Sequence, residues 1–318
     1  MKNKSIYKSF CQNCNEIPIF SQYWWLDSVC DDDEWNVLVY EVNNNIVASM
    51  PYYLKKKLGL KLLIQPKFTQ KLGPFIMTKY QNEYFKILEY FLDNMPIFNF
   101  YDQNWNSNLK NWLPFYWKGY SQTTMYSSVI KNLDNHDLVV NNFKQNRKQD
   151  FKKAQREKLS TVFNIDPLIF YNEHIKNLKI NNNKIIYNFD IFKKLHDSCA
   201  SRSQGTIAGT KDKYGNFHSL AFIVWDKNYG YLNQLTTNPL RIKNGSSSLL
   251  IKDILFYLRD KTKKFDFEGS MDHGIYNFYR SFGSKNEKLM KIKKSNPGFL
   301  KKIIEMSRIT LRHKKNYE

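Results

Sequence analysis

Near its end the chain reads FDFEGSMDHGIYNFYRSFG, Phe265 to Gly283, which sets two carboxylates, Asp266 and Glu268, two residues apart between phenylalanines. In a regular strand residues two apart share a face. Phe265 and Phe267 then fill a core, while Asp266 and Glu268 project together on the other side. Such a pair can take a proton from a reacting amine or hold an ammonium group; each acid could equally pair with a nearby Lys or Arg, or cap a helix. Asp272, ahead of Gly274 and a helical run, stands where an N-cap stands. His273 beside it is either a proton-handling group or simply structural or exposed. Tyr279 and Arg280, on the short aromatic helix that follows, meet the same corner. Asp266, Glu268 and Tyr279 are therefore the candidate catalytic residues, and Arg280 a candidate for holding a phosphate or leaving group.

A second stretch, NPLRIKNGSSSLLIKDIL, puts Gly245, Ser246, Ser247 and Ser248 at the start of an amphipathic helix that follows a strand. Helix N-termini present unpaired N–H groups and a partial positive charge, so a phosphate or carboxylate can sit there, with Arg241 and Lys243 beside it. Plain capping by serine is the alternative. A third stretch, Asn141 to Leu159, spaces Phe143, Arg147, Phe151, Ala154 and Lys158 as on a helix. Lys144, Lys148, Lys152, Lys153 and Arg156 spread positive charge around it against only Asp150 and Glu157. It is either a solvated linker helix or an anion-facing one. Arg147 from this helix and Arg202, in CASRSQG, are the other candidates for meeting a substrate anion.

Elements that would position these residues follow from periodicity. A helix is expected over Phe20 to Val29, then the strands WNVLVYEV and IVASMPYYL around an Asn43-Asn44-Asn45 turn. LKLLI and KLGPFIM read as further strands, Tyr84 to Leu92 as a helix, PIFNFYD as a buried strand, and WNSNLKNWLPFYW as a short helix broken at Pro114. The second half repeats the order. Helices near Leu168–Leu178 and Phe189–Ser201 precede the hairpin FHSLAFIVW and GYLNQLTT, the helix SSSLLIKDILFYLRD, the strand KFDFEG and the helix IYNFYRSF. FNFYD and FDFEG also resemble each other, as a duplication of one α/β unit would require. From Pro297 a basic amphipathic helix is expected, with Leu300, Ile303, Ile304 and Leu311 on one side.

At 318 residues, 42% apolar and 16% aromatic, the chain can fill real cores, which excludes a disordered protein. Its formal charge of +20 and pI near 9.5 call for an anionic partner: RNA, a nucleotide-linked substrate or an acidic membrane surface. No signal peptide or membrane span is visible, so the expected location is the cytoplasm, with peripheral contact at the inner membrane face open. The CQNC pair, Cys11 and Cys14, lacks a second pair or nearby histidines, and no metal is expected.

The order hairpin, strand ending in TTNP, helix start, buried strand and short helix is similar to the GNAT acyltransferase fold. That likeness implies a donor whose pantetheine lies along a splayed strand and whose pyrophosphate rests at the helix start. The matching fingerprint positions, Arg241, Asn244 and Ser246, are degenerate. FDFEGSMDHGIYNFYRSFGS, NRKQDFKKAQREKL and the early FSQYWWLDSV, LVYEVNNNIVASMPYYLKKKLG and KLGPFI resemble the Fem-like, methicillin-resistance-type acyltransferases and their tandem-GNAT relatives, from Phe20 to about Gly283.

The resemblance implies an α/β (α+β) chain of two tandem GNAT-like domains, each a mixed, mainly antiparallel sheet flanked by helices. The expected limits are 1–140, 141–296 with the transfer site, and 297–318 for the basic helix. It further implies direct acyl transfer to an amine of a nucleotide- or lipid-linked sugar or peptide in cell-envelope synthesis. The expected co-substrate is acyl-CoA, with aminoacyl-tRNA as the alternative; a non-catalytic RNA- or membrane-binding protein is the rival. For that chemistry Tyr231 and Gln234 would line the donor channel, N–H groups near Leu235 would polarise the carbonyl, and Arg241, Lys243 and Gly245–Ser248 would hold the donor phosphate. Arg147, Arg202 and Arg280 would meet the acceptor.

Overall fold

The structure, a computed structural model, describes residues 2–30, 34–109 and 111–296. The helix expected from Pro297 lies outside these residues. The chain forms two units, each made from separated stretches of sequence.

The first unit uses residues 2–17, 30–124 and 289–296. It begins with α1 (Lys2–Asn13); α2 (Tyr23–Val29), after a 3₁₀ turn at Ile19–Ser21, belongs to the second unit. The turn is why the expected helix starts three residues late. β1 (Trp35–Val42) and β2 (Asn45–Lys57) form the expected hairpin. Asn43 and Asn44 take φ of 51° and 61°, the left-handed pair that a tight hairpin needs and asparagine tolerates. β3 (Leu60–Ile64) continues antiparallel to β2, and β4 (Phe75–Ile76) is a short strand also on β2. α3 (Tyr84–Asp93) then carries the chain to β5 (Phe100–Asn104), which runs parallel to β3. A parallel neighbour needs such a crossover. α4 (Leu113–Trp117) has Pro114 in its first turn, where a missing N–H costs nothing, so Pro114 starts the helix rather than breaking it. Trp105, Tyr101, Phe115, Phe91, Leu63 and Met50 are among the residues of the core.

The second unit uses residues 18–29 and 125–288. β6 (Ser121–Ile130), α5 (His136–Asn141), α6 (Gln145–Arg156), β7 (Ser160–Val162), α7 (Pro167–Ile180) and α8 (Phe189–Ala200) lead to the antiparallel β8 (Gly205–Lys211), β9 (Phe217–Trp225) and β10 (Tyr229–Thr237). α9 (Ser246–Leu258) crosses over to β11 (Lys264–Asp266), parallel to β10, and α10 (His273–Arg280) follows. Leu250, Ile251, Ile254 and Leu258 of α9 pack with Phe265, Phe267 and Ala221 in one core.

The same plan therefore occurs twice: β1-β2-β3-α3-β5-α4 and β8-β9-β10-α9-β11-α10. β5 and β11 are equivalent strands, which accounts for the likeness of FNFYD to FDFEG. The strand that follows each repeat pairs with the central strand of the other repeat. β6, which follows the first repeat, pairs with β11 through Phe265↔Ile130 and Asp266↔Val129. β12 (Lys285–Ser295), which follows the second, pairs with β5 from Lys291↔Asn104 to Ser295↔Phe100. Residues 125–140 accordingly fall in the second unit, not the first.

This exchange makes a prediction. A fragment of residues 141–296 lacks β6, so one edge of β11 loses its ladder, and lacks α2 as well. Circular dichroism should show a cooperative thermal transition for the whole chain and none for the fragment; a cooperative fragment would contradict the exchange.

Candidate functional site at the β10–β11 fork and the start of α9

β10 and β11 are paired only from Tyr229↔Lys264 to Tyr231↔Asp266. Beyond that they part, for a reason local to each strand. β11 stops because the Asp266 carboxylate accepts the Glu268 N–H at 2.8 Å, an Asx-type bond that competes with the ladder. Glu268 and Gly269 then take φ of 59° and 54°. Gly269 has no substitute here: a Cβ would lie 2.4 Å from the Tyr126 carbonyl oxygen. On β10 the register with β9 shifts between Leu232 and Gln234, so Asn233 is the extra residue of a bulge.

The expected common face of Asp266 and Glu268 is therefore not formed. The alternation ends at Asp266, and both acids are buried, Asp266 completely. Asp266 also accepts a hydrogen bond from the Ser127 hydroxyl of β6. Glu268 lies in the mouth of the fork, where its Oε1 accepts from Asn233 Nδ2 at 3.2 Å. Tyr279 of α10 stacks on Phe267, with centroids 4.8 Å apart and planes at 24°. Burial, then Glu268 and Asp266, push its phenol well above the usual range. Tyr231 is pushed the same way, by burial first and then by Asp226 and Asp266. Both phenols hold their protons as neutral donors at ordinary pH. The structure thus gathers buried Asp266, Glu268 and Tyr231 and partly buried Tyr279 into one cluster. Ser127 and Asn233 complete it. Sequence reading missed them because a bulge leaves no mark on YLNQL and SSVI carries no strand alternation. Gln234 and Leu235, partly buried, continue β10 past the fork.

The start of α9 is also built from named residues. Gly245, at φ 81°, links the 3₁₀ turn Pro239–Asn244 to the helix. A Cβ on it would lie 2.0 Å from the Asp150 carbonyl oxygen, so the backbone of α6 rests directly on this glycine. Several N–H groups of this helix start are bonded locally. Ser246 N–H goes to Asn244 Oδ1 at 3.0 Å, and those of Ser248 and Leu249 go to the Gly245 carbonyl at 3.1 and 3.0 Å. Hydroxyls are engaged as well. Ser246 and Ser247 bond Ser219 at 2.8 and 2.9 Å, while Ser248 donates to the Asp150 carboxylate at 3.2 Å. Arg147 closes the group, 2.9 Å from Asp150 and 3.1 Å from the Ser248 hydroxyl, with its guanidinium over Phe278 at 5.2 Å. The anion at this helix terminus is the protein's own Asp150.

The remaining cations lie apart from that group. Arg241 bonds His218 at 2.7 Å and Asp212 at 3.4 Å, and the Lys243 carbonyl accepts from Lys153 at 3.0 Å. Arg202 donates to the Ser198 carbonyl of α8 at 2.8 Å and covers the Trp24 ring of α2 at 4.8 Å. Arg280 donates to the Ser284 carbonyl, bracing the end of α10. Asp272 caps α10 by accepting the Ile275 N–H at 2.9 Å. Cys11 and Cys14 are buried, and burial raises the Cys14 thiol. Among the described residues no group of three His, Cys, Asp or Glu side chains is placed to hold a metal ion.

A two-unit chain with mixed, mostly antiparallel strands, crossover helices and a forked parallel pair is a tandem GNAT-like architecture, the fold of the Fem-like proteins. It is similar to a structure of FemX, at a TM-score of 0.72 and 11% identity over 95% of this chain and 98% of that one. It is also similar to a structure named the C-terminal domain of a putative lysylphosphatidylglycerol synthetase from Agrobacterium fabrum, at 0.59, 10% identity and 96% of each chain. A tandem GNAT protein of clavulanic acid biosynthesis matches at 0.52 and 8% over 92% and 94%. No family model matches the sequence, and no curated protein does.

The contact at Gly245 gives the second prediction. Gly245→Ala adds a side chain at positive φ against the α6 backbone and should destabilise the chain by about 2 kcal/mol or more. Urea unfolding reads this directly; a loss under half that amount would show that α6 does not rest on α9.

Proposed function

We propose that this chain is an N-acyltransferase of cell-envelope synthesis that moves an aminoacyl group from aminoacyl-tRNA to an amine of a nucleotide- or lipid-linked sugar or peptide. The observation that carries the donor is the filled start of α9. A CoA pyrophosphate needs N–H donors and positive potential at that terminus. Here the Ser246 and Ser248 N–H groups are already bonded, and the Asp150 carboxylate lies beside them on the Ser248 hydroxyl and Arg147. One structure of this fold is named the C-terminal domain of a putative lysylphosphatidylglycerol synthetase, a name that denotes a lysyl group joined to a lipid. The positive charge of the chain suits an RNA acceptor stem.

In this reading the acceptor amine attacks the ester carbonyl carbon, forming the C–N bond and breaking the C–O bond to the ribose. Glu268 takes the amine proton. Asp266, with two donors on its carboxylate, holds the turn that presents Glu268. Tyr279, kept protonated, donates to the leaving oxygen, and main-chain N–H groups near Leu235 polarise the carbonyl. Acyl-CoA is the second reading, favoured by β10 itself: past Tyr231 it has no β11 neighbour, and its edge could pair with an extended amide-bearing chain.

Hydroxylamine can replace the unknown amine. The protein should speed conversion of a charged tRNA pool to aminoacyl hydroxamates, and Glu268→Gln should slow this by about 10²–10⁴-fold with the fold intact. Consumption of acyl-CoA with no effect on any charged tRNA would reverse the choice of donor.

A further inference from the structure

We propose that the tip formed by the β8–β9 hairpin and the 3₁₀ turn before α9 is a docking surface for an anionic lipid bilayer. Three large apolar side chains stand out here: Tyr214 is 78% exposed, Leu240 81% and Ile242 65%. They alternate with cations, Lys213 beside Tyr214 and Arg241 and Lys243 around Ile242, and Lys153 of α6 reaches the Lys243 carbonyl at 3.0 Å.

This tip is pinned by polar contacts rather than by apolar packing. Asp212 accepts the Tyr214 and Asn216 N–H groups at 2.9 and 3.0 Å, which closes the hairpin turn. The same carboxylate meets His218 at 3.2 Å and Arg241 at 3.4 Å, tying hairpin to 3₁₀ turn. Asn238 and Asn244 add bonds on the 3₁₀ side, to the Leu240 N–H at 3.0 Å and to His218 at 2.5 Å. Two loops held this firmly have no need to show leucine and isoleucine to water, and a fold seldom leaves such residues together without a use. Apolar tips ringed by Lys and Arg match the two attractions of an acidic membrane surface, burial among acyl chains and charge on the headgroups. RNA phosphates would use the cations and leave Leu240 and Ile242 without a role. The surface stands independently of the transfer reaction.

The test is co-sedimentation of the full chain with phosphatidylcholine vesicles, alone or with about one-third phosphatidylglycerol, at low and near-physiological salt. Binding to the anionic vesicles is expected, weakening as salt rises. The double variant Leu240→Ser/Ile242→Ser should bind at least about tenfold more weakly with an unchanged thermal transition. Lys213→Gln/Lys243→Gln should lose about fivefold per charge removed. Absence of sedimentation, equal binding to uncharged vesicles, or binding untouched by the Leu240/Ile242 change would each overturn the proposal. So would tRNA binding that depends on Leu240 and Ile242 in a protein that ignores vesicles.

Discussion

The buried carboxylate of Asp266 organises the second unit around it. It takes a hydroxyl from Ser127 on β6 and the N–H of Glu268 in its own chain, so one side chain ties the closing strand to the sheet and ends β11. A buried carboxylate is costly unless such donors surround it, and removing one leaves the penalty uncompensated. Because β11 ends there, Glu268 and Gly269 swing into the left-handed region. β10 answers with its bulge at Asn233, and the two strands open. The fork thus follows from one hydrogen-bonded acid, and Glu268 reaches its mouth for the same reason.

The two halves of the candidate site differ in kind. The fork joins the Tyr231 and Tyr279 phenols with Glu268, whose Oε1 accepts from Asn233. The start of α9 is closed: glycine against α6, serines bonded to each other, Asp150 and Arg147 paired across Ser248. Arg147 connects the two, since its guanidinium also covers Phe278 and Phe282 beside Tyr279. Side chains of the same chain occupy that helix start.

Much of the frame was legible in the sequence, because it rests on local signals. The Asn43-Asn44 turn, the hairpins FHSLAFIVW and GYLNQLTT, the Asp272 cap and the helices α3, α8 and α9 all carry period and punctuation that survive out of context. α1 and β12 were invisible for a physical reason. KNKSIYKSFCQN and KNEKLMKIKKS are mostly polar, with thin apolar seams that only packing makes meaningful. β6 hides behind serines buried by their neighbours. Asp266 and Glu268 were found by residue type, but their relation was not, since a side chain bonding its own backbone breaks the alternation that the expectation used. The closure of α9 by α6 joins residues about a hundred apart and leaves no pattern in either stretch.

Isothermal titration of CoA into the full chain bears most directly on that closure. With Asp150 held on Ser248 and Arg147 at the α9 start and the Ser246 and Ser248 N–H groups engaged, no heat of binding is expected up to millimolar CoA. Micromolar affinity that disappears when Ser246→Asp sets a second carboxylate at the same terminus would contradict the account, because it would place the donor's pyrophosphate where the protein's own acid is said to sit.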